Sequence, residues 1–250
     1  MLKAIIHSKA GRVEHQGEDS VRWADIFKHH EDLMTAAVFS RFSYLSPDVQ
    51  NHLLQQWLEC DQDFSDFNEI EFWPSYRLTR EEENDKDVEP DLVLRFATSD
   101  LIIEVKPPAG GDQKIGQWQE EVESFLESNE QGEKPLFFLA IGRIESGNAI
   151  KWINNLKNKF GRQLQGINAL KWQPLTDSIL ELQKSNTPNQ QDQRILHDIT
   201  EALNLYGLKV SSHTWSSLVN NTSLCELSLK QPALQKHTHH NFCMEVMNND

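Results

Sequence analysis

The chain has 250 residues, with 38 Asp and Glu against 24 Lys and Arg, a formal net charge of −14. That balance excludes a protein that coats nucleic acid nonspecifically, because such affinity comes from neutralising phosphates, while 7 Trp and 12 Phe exclude a disordered chain. The longest apolar run, Leu136 to Ile141, is far too short to span a membrane, and the N-terminal segment lacks the apolar stretch of a secretory signal.

Residues 1–20 read as irregular and polar. A helix is predicted from His30 to Phe42, with Glu31 and Asp32 in the first turn, where the helix dipole favours acids. Glu31, Met34, Thr35, Val38 and Phe42 share one stripe of it. Ser46-Pro47-Asp48 opens a second helix running to about Glu59. Glu69 to Leu78 reads as a strand and Glu81 to Asp87 as a charged loop. Two β-type runs then flank Ala97-Thr98-Ser99-Asp100. Pro107-Pro108-Ala-Gly-Gly breaks the chain before a helix over Gln113–Ser128, and Leu136–Ile141 has the unbroken apolar character of a strand buried on both faces. Further helices are expected at about 149–163, 175–184 and 190–206, with a strand near Ala169–Trp172. The tail beyond Gln231 is polar and is expected to be poorly ordered. The fold class is α/β, an αβββαβ core around a mixed sheet with a mostly helical C-terminal extension. The core with its N-terminal helices covers 1–145, the extension 146–230 and the tail 231–250.

The informative stretch is Glu89-Pro90-Asp91, a β-type run, and a second run closing on Glu104-Val105-Lys106. Alternate residues of a strand share a face, so Glu104 and Lys106 point the same way. Two carboxylates and an ammonium gathered at one spot suit metal-assisted phosphodiester hydrolysis. For Asp91 to join them, the hairpin loop must hold an even number of residues or the strands a compensating bulge. A four-residue loop, Ala97 to Asp100, would pair Phe96 with Leu101, Val93 with Glu104 and Asp91 with Lys106.

In these residues the chain resembles the PD-(D/E)XK nucleases, over roughly residues 30–142. The resemblance implies a restriction-endonuclease-like core with Asp91 and Glu104 as metal ligands and Lys106 as the catalytic lysine. It makes the Val105 carbonyl a further ligand. Many relatives add an acid from the first helix, here Glu31, and some a glutamine from the helix after the motif, here Gln117. The implied cofactor is Mg²⁺, with Mn²⁺ able to substitute.

Charge is unevenly spread. Glu59 to Asp91 holds thirteen acids against Arg77, Arg80 and Lys86, whereas Ser146 to Leu175 holds five basic residues and no acid. Lys151, Lys159 and Arg162 lie on a helix face opposite an apolar stripe and are candidate phosphate contacts. His237, His239 and His240 suggest a metal tract but match no zinc spacing. Cys60, Cys225 and Cys243 also lack ligand spacing and leave one unpaired, as in a reducing cytoplasm. The leading expectation is a cytoplasmic Mg²⁺-dependent DNA nuclease acting with a protein partner in a restriction or anti-phage defence assembly. The alternatives are a catalytically silent scaffold of the same fold and an acidic protein that mimics DNA.

Overall fold

The computed structural model describes residues 2–27, 30–80, 85–128, 134–145 and 147–210. The expectations for the tail, the His237–His240 tract, Cys225 and Cys243 fall outside these residues. Chain order is α1 (Leu2–Ile6), β1 (Arg12–His15), β2 (Glu18–Arg22), α2 (Trp23–Phe27), α3 (Glu31–Phe42), α4 (Pro47–Leu58), β3 (Phe67–Phe72), β4 (Tyr76–Leu78) and β5 (Lys86–Val88). Then come β6 (Leu92–Phe96), β7 (Asp100–Val105), α5 (Ile115–Glu127), β8 (Leu136–Ile141), α6 (Asn148–Phe160), β9 (Leu164–Leu170), α7 (Trp172–Lys184) and α8 (Gln190–Leu205), with a 3₁₀ turn at Gly161–Gln163.

The central sheet has the order β3-β6-β7-β8-β9. β3, β6 and β7 pair antiparallel, while β7, β8 and β9 pair parallel through the crossovers that contain α5 and α6. The protein is therefore α/β with a mixed five-stranded sheet. β9 lies beyond residue 145 and completes that sheet.

Every residue of β6, β7 and β8 is buried, as expected of strands covered on both faces. Period two divides them between two cores. Leu92, Leu94, Leu101, Ile103, Leu139 and Ile141 pack with residues of α3, α4, α7 and α8. Val93, Ile102, Phe138 and Ala140 pack on the other side against Trp118, Val122 and Phe125 of α5 and Leu156 of α6.

Several expectations are corrected. The first 20 residues are not irregular: Leu2 and Ile5 of α1 are buried in the first core, and β1 and β2 form a hairpin. The predicted strand over Glu69–Leu78 is broken at Trp73-Pro74. Trp73 has φ +51°, and Pro74 has no N–H for a ladder, so the chain leaves the sheet there. β4 instead pairs with β5 in a separate two-stranded ribbon, so Lys86-Asp87 is strand rather than loop. The predicted strand near Ala169–Trp172 begins earlier and ends at Leu170, and Trp172 opens α7. No helix among the described residues is long and apolar enough to cross a membrane.

Candidate metal centre

The β6–β7 hairpin sets the geometry. Leu92 pairs with Ile103, Val93 with Ile102, Leu94 with Leu101 and Arg95 with Asp100. The Phe96 N–H donates to the Ser99 carbonyl at 2.9 Å, so the loop is the two residues Ala97-Thr98 rather than the expected four. Asp100 belongs to the strand because its fully buried carboxylate is matched by Arg95 at 3.6 Å and Lys134 at 4.0 Å. The loop remains even, so parity is kept. One step beyond Leu92–Ile103 the register sets Asp91 opposite Glu104, on the face that α5 covers.

Around that point four carboxyl groups and one ammonium gather. Glu31 is the first residue of α3, and its Oε1 accepts from Lys106 Nζ at 2.8 Å. Glu104 Oε1 also accepts from Lys106 Nζ, and from Gln117 Nε2 at 2.7 Å. The Val105 carbonyl lies 3.1 Å from the same Nζ. Asp91 Oδ2 accepts the Val105 N–H at 2.7 Å. Glu31, Asp91 and Glu104 each offer a carboxylate oxygen, all within 4.8 Å of one another, a separation that a single cation can bridge. Asp91, Glu104, Lys106, Gln117, Glu31 and the Val105 carbonyl are thus brought together.

The electrostatics follow from burial. Asp91 is pushed up to about 8, first by desolvation and then by the Glu104 carboxylate, against the lowering influence of the Val105 N–H and Lys106. Glu31 is also raised, chiefly by burial, with Lys106 opposing. Burial pulls the Lys106 ammonium down, but Glu104 and Glu31 outweigh it and hold it above its ordinary value. Glu104 is fully buried, and its Oε2 meets no donor.

Three further residues support the site. Glu121 is buried beneath Glu104, and neither of its oxygens meets a donor in hydrogen-bonding geometry. Burial, reinforced by Glu104, drives its carboxyl well above the usual range. Its signal was faint: it stands four residues after Gln117, hence on the same helical face. Gln113 is buried and donates from Nε2 to the Glu104 carbonyl at 3.2 Å and to the Ile141 carbonyl at 3.0 Å. Trp172 Nε1 donates to the Lys106 carbonyl at 2.7 Å, and the Lys106 N–H donates to the Ile141 carbonyl at 2.8 Å. The backbone that aims Lys106 is therefore held from both sides. Orphaned buried carboxylate oxygens are costly without a cationic or donor partner. The carboxylates of Glu31, Asp91 and Glu104 are hard oxygen donors that suit Mg²⁺, while the raised Glu121 carboxyl hydrogen-bonds Glu104 from beneath.

The basic face of α6 is divided relative to this centre. α6 runs from the carboxyl end of β8 back to the amino end of β9. Lys151 sits in its first turns, near the acids' end of the sheet. Lys159, which pairs with Glu123 at 3.3 Å, and Arg162 in the following 3₁₀ turn lie toward the other end, about 18 Å along a helix of this length.

No protein-family model matches the chain. It is 28% identical to the uncharacterized protein PM0110 of Pasteurella multocida (strain Pm70) over 248 residues, covering 92% of this chain and 89% of that one. Among solved structures, that of AF1548, a protein of unknown function, is similar over 72% of this chain and 97% of its own. The identity is 13% and the TM-score 0.28, a superposition too loose to speak for fold or chemistry.

Proposed function

We propose that the chain is a Mg²⁺-dependent nuclease of the PD-(D/E)XK type that hydrolyses DNA phosphodiesters in the cytoplasm, as a subunit of a restriction or anti-phage defence assembly. The observation that carries this reading is the convergence of Glu31, Glu104 and the Val105 carbonyl on the Lys106 ammonium, with Asp91 within bridging distance of both carboxylates.

Glu31, Asp91, Glu104 and the Val105 carbonyl are the groups that would hold the ion. Bound there, Mg²⁺ supplies Lewis-acid charge to the phosphate and lowers the pKa of an attacking water. Gln117 donates to the same oxygen of Glu104 that accepts from Lys106 and so holds that carboxylate in place. Lys106 offers an ammonium to the water or to the phosphate oxygen on which negative charge grows. The new bond joins water oxygen to phosphorus, the bond to the leaving oxygen breaks, and that oxygen takes up a proton.

The test is cleavage of DNA by the purified chain, alone and with any co-purifying partner, in Mg²⁺, Mn²⁺ or EDTA. Cleavage should need the divalent ion. Glu104→Gln and Lys106→Met should each lower its rate by about a hundredfold or more, with melting temperatures showing that the fold survives. Full activity in Glu104→Gln would place the chemistry elsewhere. An intact fold that cleaves no DNA under any of these conditions would leave the scaffold and DNA-mimic readings standing.

A further inference from the structure

The acids open at the carboxyl end of β7, and the loops that leave the carboxyl ends of β7, β8 and β9 are tied together there. The Gln113 N–H donates to the Arg143 carbonyl at 2.9 Å, and the Gly142 N–H donates to the Leu170 carbonyl at 2.9 Å. Each bond brings a cation-bearing position next to its neighbour: Lys114 beside Arg143, and Arg143 beside Lys171. The three residues thus stand in a row across three adjacent strands. Strands lie about 4.8 Å apart, so the row spans about 10 Å. That is close to the axial distance covered by four successive phosphates on one strand of a duplex, three steps of about 3.4 Å each.

All three side chains are exposed. The Lys114 and Lys171 ammonium groups have no ion-pair or hydrogen-bond partner among the described residues, and the Arg143 guanidinium is paired there with the exposed Asp112, a kind of surface pair that a phosphate can displace cheaply. The opposite edge of the sheet is acidic. β3 carries exposed Glu69, and the nearby β4–β5 ribbon and its exit carry exposed Asp87 and Glu89. A polyanion approaching Glu104 meets exposed acids on the β3 side, where the ribbon's own cations Arg77 and Lys86 are paired with Asp85 and Glu120, and meets the row of cations on the β8–β9 side.

We infer that a nucleic-acid backbone reaches the metal centre over the carboxyl ends of β7, β8 and β9, with Lys114, Arg143 and Lys171 as its phosphate contacts. The distal basic end of α6 is not on this path. The inference rests on the nuclease reading and adds the direction from which the substrate enters.

The experiment compares three proteins: the wild type, a Lys114→Gln/Arg143→Gln/Lys171→Gln variant and a Lys151→Gln/Lys159→Gln/Arg162→Gln variant. Binding of a fluorescein-labelled DNA duplex and of its single strand is measured by anisotropy across a salt series, with Ca²⁺ replacing Mg²⁺. Each lost contact should lower the slope of log K against log salt by about 0.9 on a duplex or about 0.7 on a single strand. The row variant should lose close to three such increments, and the α6 variant at most one, from Lys151. Melting temperatures should match in all three proteins, since the altered side chains are exposed. A wild type that cleaves DNA while the row variant keeps its slope overturns the path and leaves the nuclease reading intact. So does a result in which the α6 variant takes the larger loss. A wild type that neither binds nor cleaves overturns both.

Discussion

Asp91 shows most directly what it means to pack Glu31, Asp91 and Glu104 around a single ammonium, with Glu121 buried beneath Glu104. Its carboxyl is raised from an ordinary 3.8 to about 8. Between those values the folded protein holds a proton that the unfolded chain has released. The stability this confers is fully present below the ordinary value and is lost as pH rises through about 8. Glu31 and Glu121 are shifted in the same sense. The metal-free protein should therefore melt at progressively lower temperature from pH 5 to about pH 8.5, by an amount worth a few kcal/mol. Asp91→Asn should flatten part of that decline, and an unchanged slope in the variant would show that Asp91 does not hold the proton. At this scale the site was largely legible. Period two along β7 fixes Glu104 and Lys106 to one face, and the helical stripe of α3 selects Glu31 over Asp32. Glu121 was not legible, because a glutamate on a helix looks solvated until the strand beneath it is known.

Elements differ in how far local sequence determines them. Helices α3 to α8 follow their apolar periodicity, and their ends fall within a few residues of expectation. The misjudged elements depend on single backbone positions. The β1–β2 hairpin turns on Gln16 and Gly17, both with positive φ (51° and 81°), the conformation that a two-residue turn of this hand requires. Gln-Gly is a weaker announcement of such a turn than Asn-Gly. Asp100 looked like a loop residue because its partners Arg95 and Lys134 are distant in sequence or on another element. Gly142, which ends β8, has φ +135°, and a Cβ there would stand 2.7 Å from the Lys106 carbonyl oxygen and 2.9 Å from the Lys106 Cβ. The carbonyl oxygen and the Cβ are both fixed by a Lys106 backbone already tied to Ile141 and Trp172. Gly142→Ala should cost about 1–3 kcal/mol, lowering the melting temperature by several degrees. It should also reduce cleavage beyond what the lost stability explains, because the residue displaced is Lys106. Wild-type melting and wild-type cleavage in this variant would show that the close approach does not constrain the lysine.

Across the whole molecule, the candidate ligands come from three parts of the chain that only folding unites. Glu31 starts a helix that packs in the first core, Asp91 precedes β6, and Glu104 lies near the end of β7, facing the second core. An ion held by all three binds the native state and has no counterpart site in the unfolded chain, so its binding energy adds to the stability of the entire sheet and its two helical layers. At an ion concentration about 100 times its dissociation constant, the gain is about 2.7 kcal/mol. For a unit of this size that raises the melting temperature by about 5–10 °C. Because the ligating carboxylates must shed their protons first, the Mg²⁺-induced rise should be small near pH 5 and grow as pH passes through about 8, where Asp91 ionises. It runs opposite to the decline of the metal-free protein, so added Mg²⁺ should level the dependence of melting on pH. Glu104→Gln should remove the Mg²⁺ response at every pH while remaining folded. The measurement is a grid of melting curves over pH and Mg²⁺ concentration for the two proteins. A wild type whose melting temperature is indifferent to Mg²⁺ and Mn²⁺ at pH 8.5 would show that Glu31, Asp91 and Glu104 do not share an ion, however well their oxygens converge.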